Sequence, residues 1–490
     1  MFHYMSIKNL RKEVNSFGME FKISTLVLCI IAVLFADGTF CYVYNLKAVC
    51  GILLAVVIVC TLPYLFLVNF RKKYHDQCFE DANQYMEQML YSFRKHPMIP
   101  AALMDTERIL KSGNLHKRLE KAIGIVGTWE DPEADRMALS VIEEEFGCDR
   151  MSSMHELMLN VKSAGGNYEE SIRIMLDDKN DWRKNVDEHR MNCKKQMNNT
   201  AFAVLAVTLL GYISVYLIHQ CLPEISLTDV WPYQIATTAM MLANFAIFVL
   251  AQKKTDINWL RRKKTADDAY IGRQYDRYVH FDAAKERKYG LILSLFAVPV
   301  ILLSLILGLM PGVILGAVYF LYMLNIHKFK HRSNQKMLKR EIEKAYPRWL
   351  TEMALLLQTD NVYTAIEKTS ETAAPVLQPA LKRMLAELEL YPESTEPYFN
   401  FLSEFGLKDV QASMTMLYSL ANGSGGDAEK QIAEIVERNN AMANKAERLA
   451  NEDEIGKMYL TFVAPTAVGM LKLLVDMALF FILFFTNVTL

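Results

Sequence analysis

Apolar and polar positions along this chain segregate into long blocks rather than alternating residue by residue. Runs of about 20 apolar residues, the length that carries a helix across roughly 30 Å of hydrocarbon, fall near 23–45, 48–69, 200–219, 232–251, 290–308, 311–327 and 458–487. Two long polar stretches, 71–198 and 328–456, separate them and are 128 and 129 residues long. The pattern predicts an all-α, polytopic membrane protein with about seven transmembrane helices. Its segments are a hairpin over 1–70, a helical bundle over 71–198, a second hairpin over 199–252 and a basic linker over 253–289. A third hairpin over 290–327, a second bundle over 328–456 and a final span over 457–490 complete the chain. Asp37 and Gly38 interrupt the first run after Ala36, so residues 1–36 also have the outline of a signal peptide.

The near-equal bundle lengths predict an internal repeat. Met86, Met89, Leu90 and Phe93 stand at i, i+3, i+4 and i+7, and Leu350, Met353, Ala354 and Leu357 repeat that face 264 positions later. Glu145-Phe146-Gly147 returns as Glu404-Phe405-Gly406 at an offset of 259, and Gly165-Gly166 as Gly425-Gly426 at 260. After each glycine pair another helical face follows, Ile172, Met175 and Leu176 and then Ile432, Ile435 and Val436. Neither stretch shows alternating strand patterning, and Pro97, Pro100, Pro375 and Pro379 sit where helices would begin or end. Each bundle should have about six helices, the first growing out of a membrane hairpin and the last leading into the next span.

Charge assigns an orientation. Lys8, Arg11, Lys12 and Lys22 precede the first span, Arg71, Lys72 and Lys73 follow the second, and Lys194 and Lys195 precede the third. The segment 253–289 carries 11 basic residues against 6 acidic ones, Arg261 and Arg262 among them, whereas 219–231 has no lysine or arginine. Basic residues stay cytoplasmic, so both bundles and the N-terminus are expected inside and the C-terminus outside. The net charge of −1 gives no reason to expect a nucleic-acid partner. Eight cysteines without a Cys-x-x-Cys pair argue against a disulfide framework or zinc ribbon.

The search for chemistry returns little, and an enzyme is not expected. Gly423-Ser424-Gly425-Gly426-Asp427-Ala428 has the letters of a dinucleotide fingerprint but follows a helix-like stretch, so a tight interhelical turn is the better reading. No Walker A loop occurs, and His155-Glu156 lacks the second histidine of a zincin, so the histidines read as surface residues and no metal or cofactor is expected. The acidic clusters Glu143 to Glu145 and Glu452 to Glu454 read as solvated helix faces. Within the last apolar run, Lys472 and Asp476 are one helical turn apart and can neutralise each other; the alternative is that this face receives a complementary charge from another transmembrane helix.

The bundle openings MEQMLYSFRKHPMIPAALM and WLTEMALLLQTDNVYTAIEKT resemble the type II secretion F-domain family. So does SEFGLKDVQASMTMLYSLANGSGGDAEKQI, followed by AMANKAERLANEDEIGKMYLTFVAP. The layout is similar to the two inner-membrane platform proteins of tight-adherence (Tad) pilus systems joined end to end, residues 1 to about 260 and about 261 to 490. The resemblance implies a platform in the bacterial inner membrane that couples a hexameric secretion ATPase to pilin or pseudopilin movement, working as a homo-oligomer in contact with membrane lipid. It makes Lys472 a candidate to meet an acidic transmembrane residue of pilin. The conspicuous turn and linker residues Glu145, Gly147, Gly165, Gly166, Glu404, Gly406, Gly425, Gly426, Arg261 and Arg262, with Asp476, complete the candidate partner contacts. The competing class is a polytopic transporter or channel with regulatory helical domains; a membrane enzyme is a third.

Overall fold

In the computed structural model, residues 7–110, 114–128, 132–164, 169–221, 227–260, 268–306, 310–357, 360–423 and 428–488 are described. Among them every regular element is helical. Helix α1 spans Ile7–Ser16, α2 Ile23–Val43, α3 Ala48–Lys95, α4 Ile99–Ile109, α5 Asn114–Thr128, α6 Pro132–Phe146, α7 Asp149–Ala164, α8 Glu169–Cys221 and α9 Trp231–Lys254. The chain continues with α10 Asp268–Val279, α11 Ala283–Ser294, α12 Ala297–Ile306, α13 Met310–Leu356, α14 Val362–Thr372, α15 Gln378–Leu390, α16 Glu396–Asn400, α17 Lys408–Ala421 and α18 Ala428–Val488.

Six of these helical stretches are long and apolar enough to cross a membrane: α2, α3, α8, α9, the α11–α12 stretch and α18. The seventh expected span, 311–327, falls in the first part of α13; the six are counted over the described residues only, and it is not one of them. Asp37 and Gly38 do not break the first span, since α2 continues through both.

The long helices of 48, 53, 47 and 61 residues (α3, α8, α13 and α18) each join an apolar half to a polar half without a break. Between α3 and α8 lie four helices of 11, 15, 15 and 16 residues. Between α13 and α18 lie helices of 11, 13, 5 and 14 residues, with a 3-10 turn at Ser403–Phe405. Prolines mark the starts as expected, Pro100 in the first turn of α4 and Pro379 in that of α15.

The chain divides into two compact units, residues 1–262 with 449–490 and residues 263–448. This departs from a division near 260 into two consecutive halves: the last span belongs with the first four. The reason lies in long-range packing. On α18, Gly469 has no side chain, and a Cβ there would come within 2.4 Å of Val207 Cγ1 on α8. Lys254 Nζ at the end of α9 donates to the Lys457 carbonyl at 2.8 Å. Between apolar helices in lipid the hydrophobic effect supplies no preference, so close approach at small residues and polar contacts decide partners.

In the first unit the polar halves of α3 and α8 close with α4 to α7 around a core that includes Phe79, Tyr85, Met86, Met89, Leu90, Phe93, Leu119, Ile142, Met158 and Trp182. In the second unit α10 and α13 to α17, with the start of α18, bury Tyr346, Trp349, Leu350, Met353, Leu381, Phe401, Phe405, Met414 and Ile435. Each such side chain contributes about 1.5–3 kcal/mol on leaving water. Both periodic faces at the bundle openings are buried: Met86, Met89, Leu90 and Phe93 in one core, Leu350, Met353 and Leu357 in the other, with Ala354 buried beside them in sequence.

Candidate functional site

The apolar end of the first unit contains a polar centre. Lys472 and Asp476, four residues apart on α18, form an ion pair and are 2% and 1% exposed. Tyr233 of α9 and Tyr44, at the end of α2, wall the ammonium, which stands 5.1 and 5.8 Å from their ring centroids. Tyr44 donates its hydroxyl to the Thr208 carbonyl of α8, and Tyr233 donates to the Tyr44 carbonyl at 3.3 Å. Gly211 gives Tyr44 room: a Cβ there would lie 3.3 Å from the tyrosine oxygen. Gln234 closes the end of the centre, donating to the carbonyls of Asn45 and Thr228 at 2.9 and 2.7 Å and accepting from the Lys47 amide at 2.9 Å. Asp476 Oδ1 and both side-chain polar atoms of Asn244, one face further along α9, find no hydrogen-bond partner among the described residues.

Four helices therefore converge on one charge pair, in a setting where isolated charge is expensive. The arrangement bears on the expected partner role of Lys472. Its ammonium is buried, paired with the carboxylate one turn on, and lies against two tyrosine rings.

Where the apolar halves give way to the polar bundle, a collar of charge and aromatic contacts ties α3, α8 and the segment after α9. Arg190 of α8 meets Glu80 at 2.8 Å and Asp76 at 3.1 Å while lying over the rings of Phe79 and Trp259. Trp259 donates its indole N–H to Asp76 Oδ1 at 3.0 Å. Arg71 bridges Glu13 of α1 at 3.3 Å and Asp256 at 3.4 Å. His189 packs edge-on to Trp259 and stands 3.7 Å from Glu454 of α18.

Inside the first bundle Tyr85, His155 and Glu143 form a chain across α3, α7 and α6. The His155 Nε2 lies 2.8 Å from the Tyr85 hydroxyl and its Nδ1 2.6 Å from Glu143 Oε1. With an ionised carboxylate accepting from Nδ1–H, Nε2 is left to accept from the tyrosine. Burial holds the His155 pKa below its ordinary value against the opposing pull of Glu143, and the bond to His155 holds the Glu143 carboxyl low. Tyr85 and His155 are buried while Glu143 is partly exposed, and the chain ties three helices together.

These contacts correct two sequence readings. His155 and His189 are 1% and 2% exposed rather than surface residues. The signal was available: Met151, Met154, His155 and Met158 follow i, i+3, i+4 and i+7, and Trp182, Val186, His189 and Cys193 share a face of α8. The acidic clusters are likewise not simply solvated faces, since Glu143 holds His155, Glu145 pairs with Arg118 at 2.7 Å, and Glu454 stands beside His189.

Gly147 and Gly406 both adopt left-handed backbone, with φ of 57° and 59°, a conformation in which glycine has no Cβ penalty. Glu404 is exposed beside the second of them. Gly165, Gly166, Gly425, Gly426, Arg261 and Arg262 lie outside the described residues. Gly423, the first residue of the fingerprint-like string, has φ of 61° immediately after α17, the geometry of an interhelical turn and not of a strand entering a phosphate loop. One group of described residues has the composition of a metal-ligand set: His116 stands 3.4 Å from Glu107 through Nδ1 and 3.5 Å from Glu120 through Nε2. Its two nitrogens face different carboxylates.

Comparison with known protein families, curated proteins and solved structures finds no match to this chain.

Proposed function

We propose that the protein is an inner-membrane platform of a pilus or type II secretion machine, coupling a cytoplasmic ATPase to the movement of pilin subunits. What supports this reading is a similar order of helices in two stretches: a long helix with an apolar half (α3, then α13), four shorter helices, and another long helix with an apolar half (α8, then α18). Some details are alike. The helix after each opening one is 11 residues long; Phe146 and Phe405 are both buried, and the glycine after each is left-handed. Such a layout suits force transmission, because a push on a bundle reaches the membrane through continuous helix rather than through a loop.

On this reading both bundles face the cytoplasm, the C-terminus is outside, and the collar around Arg190 and Trp259 keeps the first bundle in register with its spans. The Lys472–Asp476 pair fastens the last span to the first two hairpins. The protein chain itself supplies no nucleotide chemistry; a hexameric ATPase does. Removing the chain from its host should abolish surface filaments or secretion while pilin accumulates in the membrane, and unchanged filament number would overturn the proposal.

The competing reading, a transporter or channel, draws on the buried polar centre, since transport routes concentrate ionisable groups within the membrane. Flux of protons or small cations into vesicles containing the purified protein, abolished by Asp476→Asn, would favour it.

A further inference from the structure

A groove of about 510 Å³ opens in the second unit where the ends of α13, α15 and α17 meet the start of α14. Leu357, Val362, Leu388 and Leu420 supply apolar wall, and Tyr363, Tyr398 and Asn422 bring polar edges. The surface beside it is unusually apolar for a polar bundle: Leu390 is 72% exposed, Tyr391 67% and Phe399 48%. Leu390 and Tyr391 sit at the end of α15, two and three residues beyond the wall residue Leu388, and Phe399 follows the wall residue Tyr398. Scattered single apolar residues on a surface need no explanation, but these three lie near lining residues in sequence, and exposed apolar side chains close together mark interaction sites.

Charge indicates what fits. Residues 385–399 contain Glu387, Glu389, Glu393 and Glu396 and no lysine or arginine. Glu389, Glu393 and Glu396 are exposed. The Tyr363 hydroxyl, on the groove wall, donates to Glu389 at 3.4 Å, which places that carboxylate at the mouth. Lys368 is engaged by Asp360 at 2.8 Å, and the exposed Lys382 and Arg383 stand about two turns earlier on α15.

We propose that this groove docks a basic amphipathic segment of a protein partner, its apolar face in the groove and its lysine or arginine side chains against the glutamate rim. A groove with apolar walls suits helix-in-groove recognition, and complementary charge at the edge sets orientation and association rate. The inference stands whether or not the platform reading does, since it rests on the second unit alone.

The test uses the full chain in nanodiscs of neutral phosphatidylcholine and a fluorescent helix-forming peptide of leucine and lysine, with a leucine and glutamate peptide of equal length as the control. The lysine peptide should bind, weaken with added salt, and lose about tenfold in affinity in the Leu390→Ser/Tyr391→Ser and Glu389→Lys/Glu393→Lys variants. Glu144→Lys, an exposed reversal in the other unit, should leave binding unchanged. The substituted side chains are exposed, and unaltered melting temperatures will show that the fold survives. Binding of both peptides alike, binding of neither, or binding indifferent to the groove variants would overturn the proposal. So would self-association of the chain that these variants abolish, because the occupant would then be a second copy.

Discussion

Asp476→Ala provides the most demanding test of the buried polar centre. It leaves the Lys472 ammonium, itself 2% exposed, with only two tyrosine faces for company. Removing one member of a buried pair leaves an uncompensated charge and costs about 3–5 kcal/mol. At roughly 2 °C per kcal/mol for a domain of a few hundred residues, the melting temperature of the detergent-solubilised protein should fall by about 6–10 °C. Lys472→Met should cost a comparable amount by stranding the carboxylate. The double variant Lys472→Met/Asp476→Leu replaces charge by apolar volume and should recover most of the loss, because two well-packed apolar side chains in place of a buried pair are often neutral or stabilising. Fluorescence-detected thermal unfolding of the wild type, Lys472→Met, Asp476→Leu and the double variant closes the cycle and yields the coupling energy. A double variant as unstable as the sum of the single ones would refute the claim that the pair acts as a unit.

Three further outcomes follow from the geometry. The Tyr85–His155–Glu143 tie should make the first bundle acid-sensitive. The His155 pKa is held below its ordinary 6.5 in the fold, so from 6.5 downward the unfolded chain binds more protons and stability falls with pH until the folded value is passed. The lowered Glu143 pKa adds stability above its ordinary 4.5 that is lost below it, and in His155→Leu the loss near pH 6 should disappear from pH-dependent melting curves. Gly406→Ala meets no atom within 4 Å but must hold φ of 59°, so it should cost about 1–2 kcal/mol through backbone strain alone. Gly469→Ala places a Cβ 2.4 Å from Val207 Cγ1 and should loosen α18 from α8, which proteolysis in detergent will report and Val207→Ala will partly reverse.

Much of this architecture was legible because its signals are local. Apolar length marked the spans, and the i, i+3, i+4, i+7 faces at Met86 and Leu350 marked surfaces that are buried in the two cores. The assignment of the last span to the first unit was not legible: Gly469 opposite Val207 and Lys472 beneath Tyr44 and Tyr233 are contacts between residues hundreds of positions apart. Lys472 itself carried an ambiguous signal, since a lysine and an aspartate one turn apart are equally consistent with a closed pair and with a face awaiting a partner. The buried histidines are hard to read for another reason: residue type points to the surface, although His155 shares the spacing of Met151, Met154 and Met158.

The most direct test of the platform function is co-purification of the intact protein from cross-linked native membranes, with the partners identified by mass spectrometry. The account predicts a hexameric secretion ATPase and a small pilin-like subunit in stoichiometric amounts. Recovery of a folded, monodisperse protein with neither partner would contradict it.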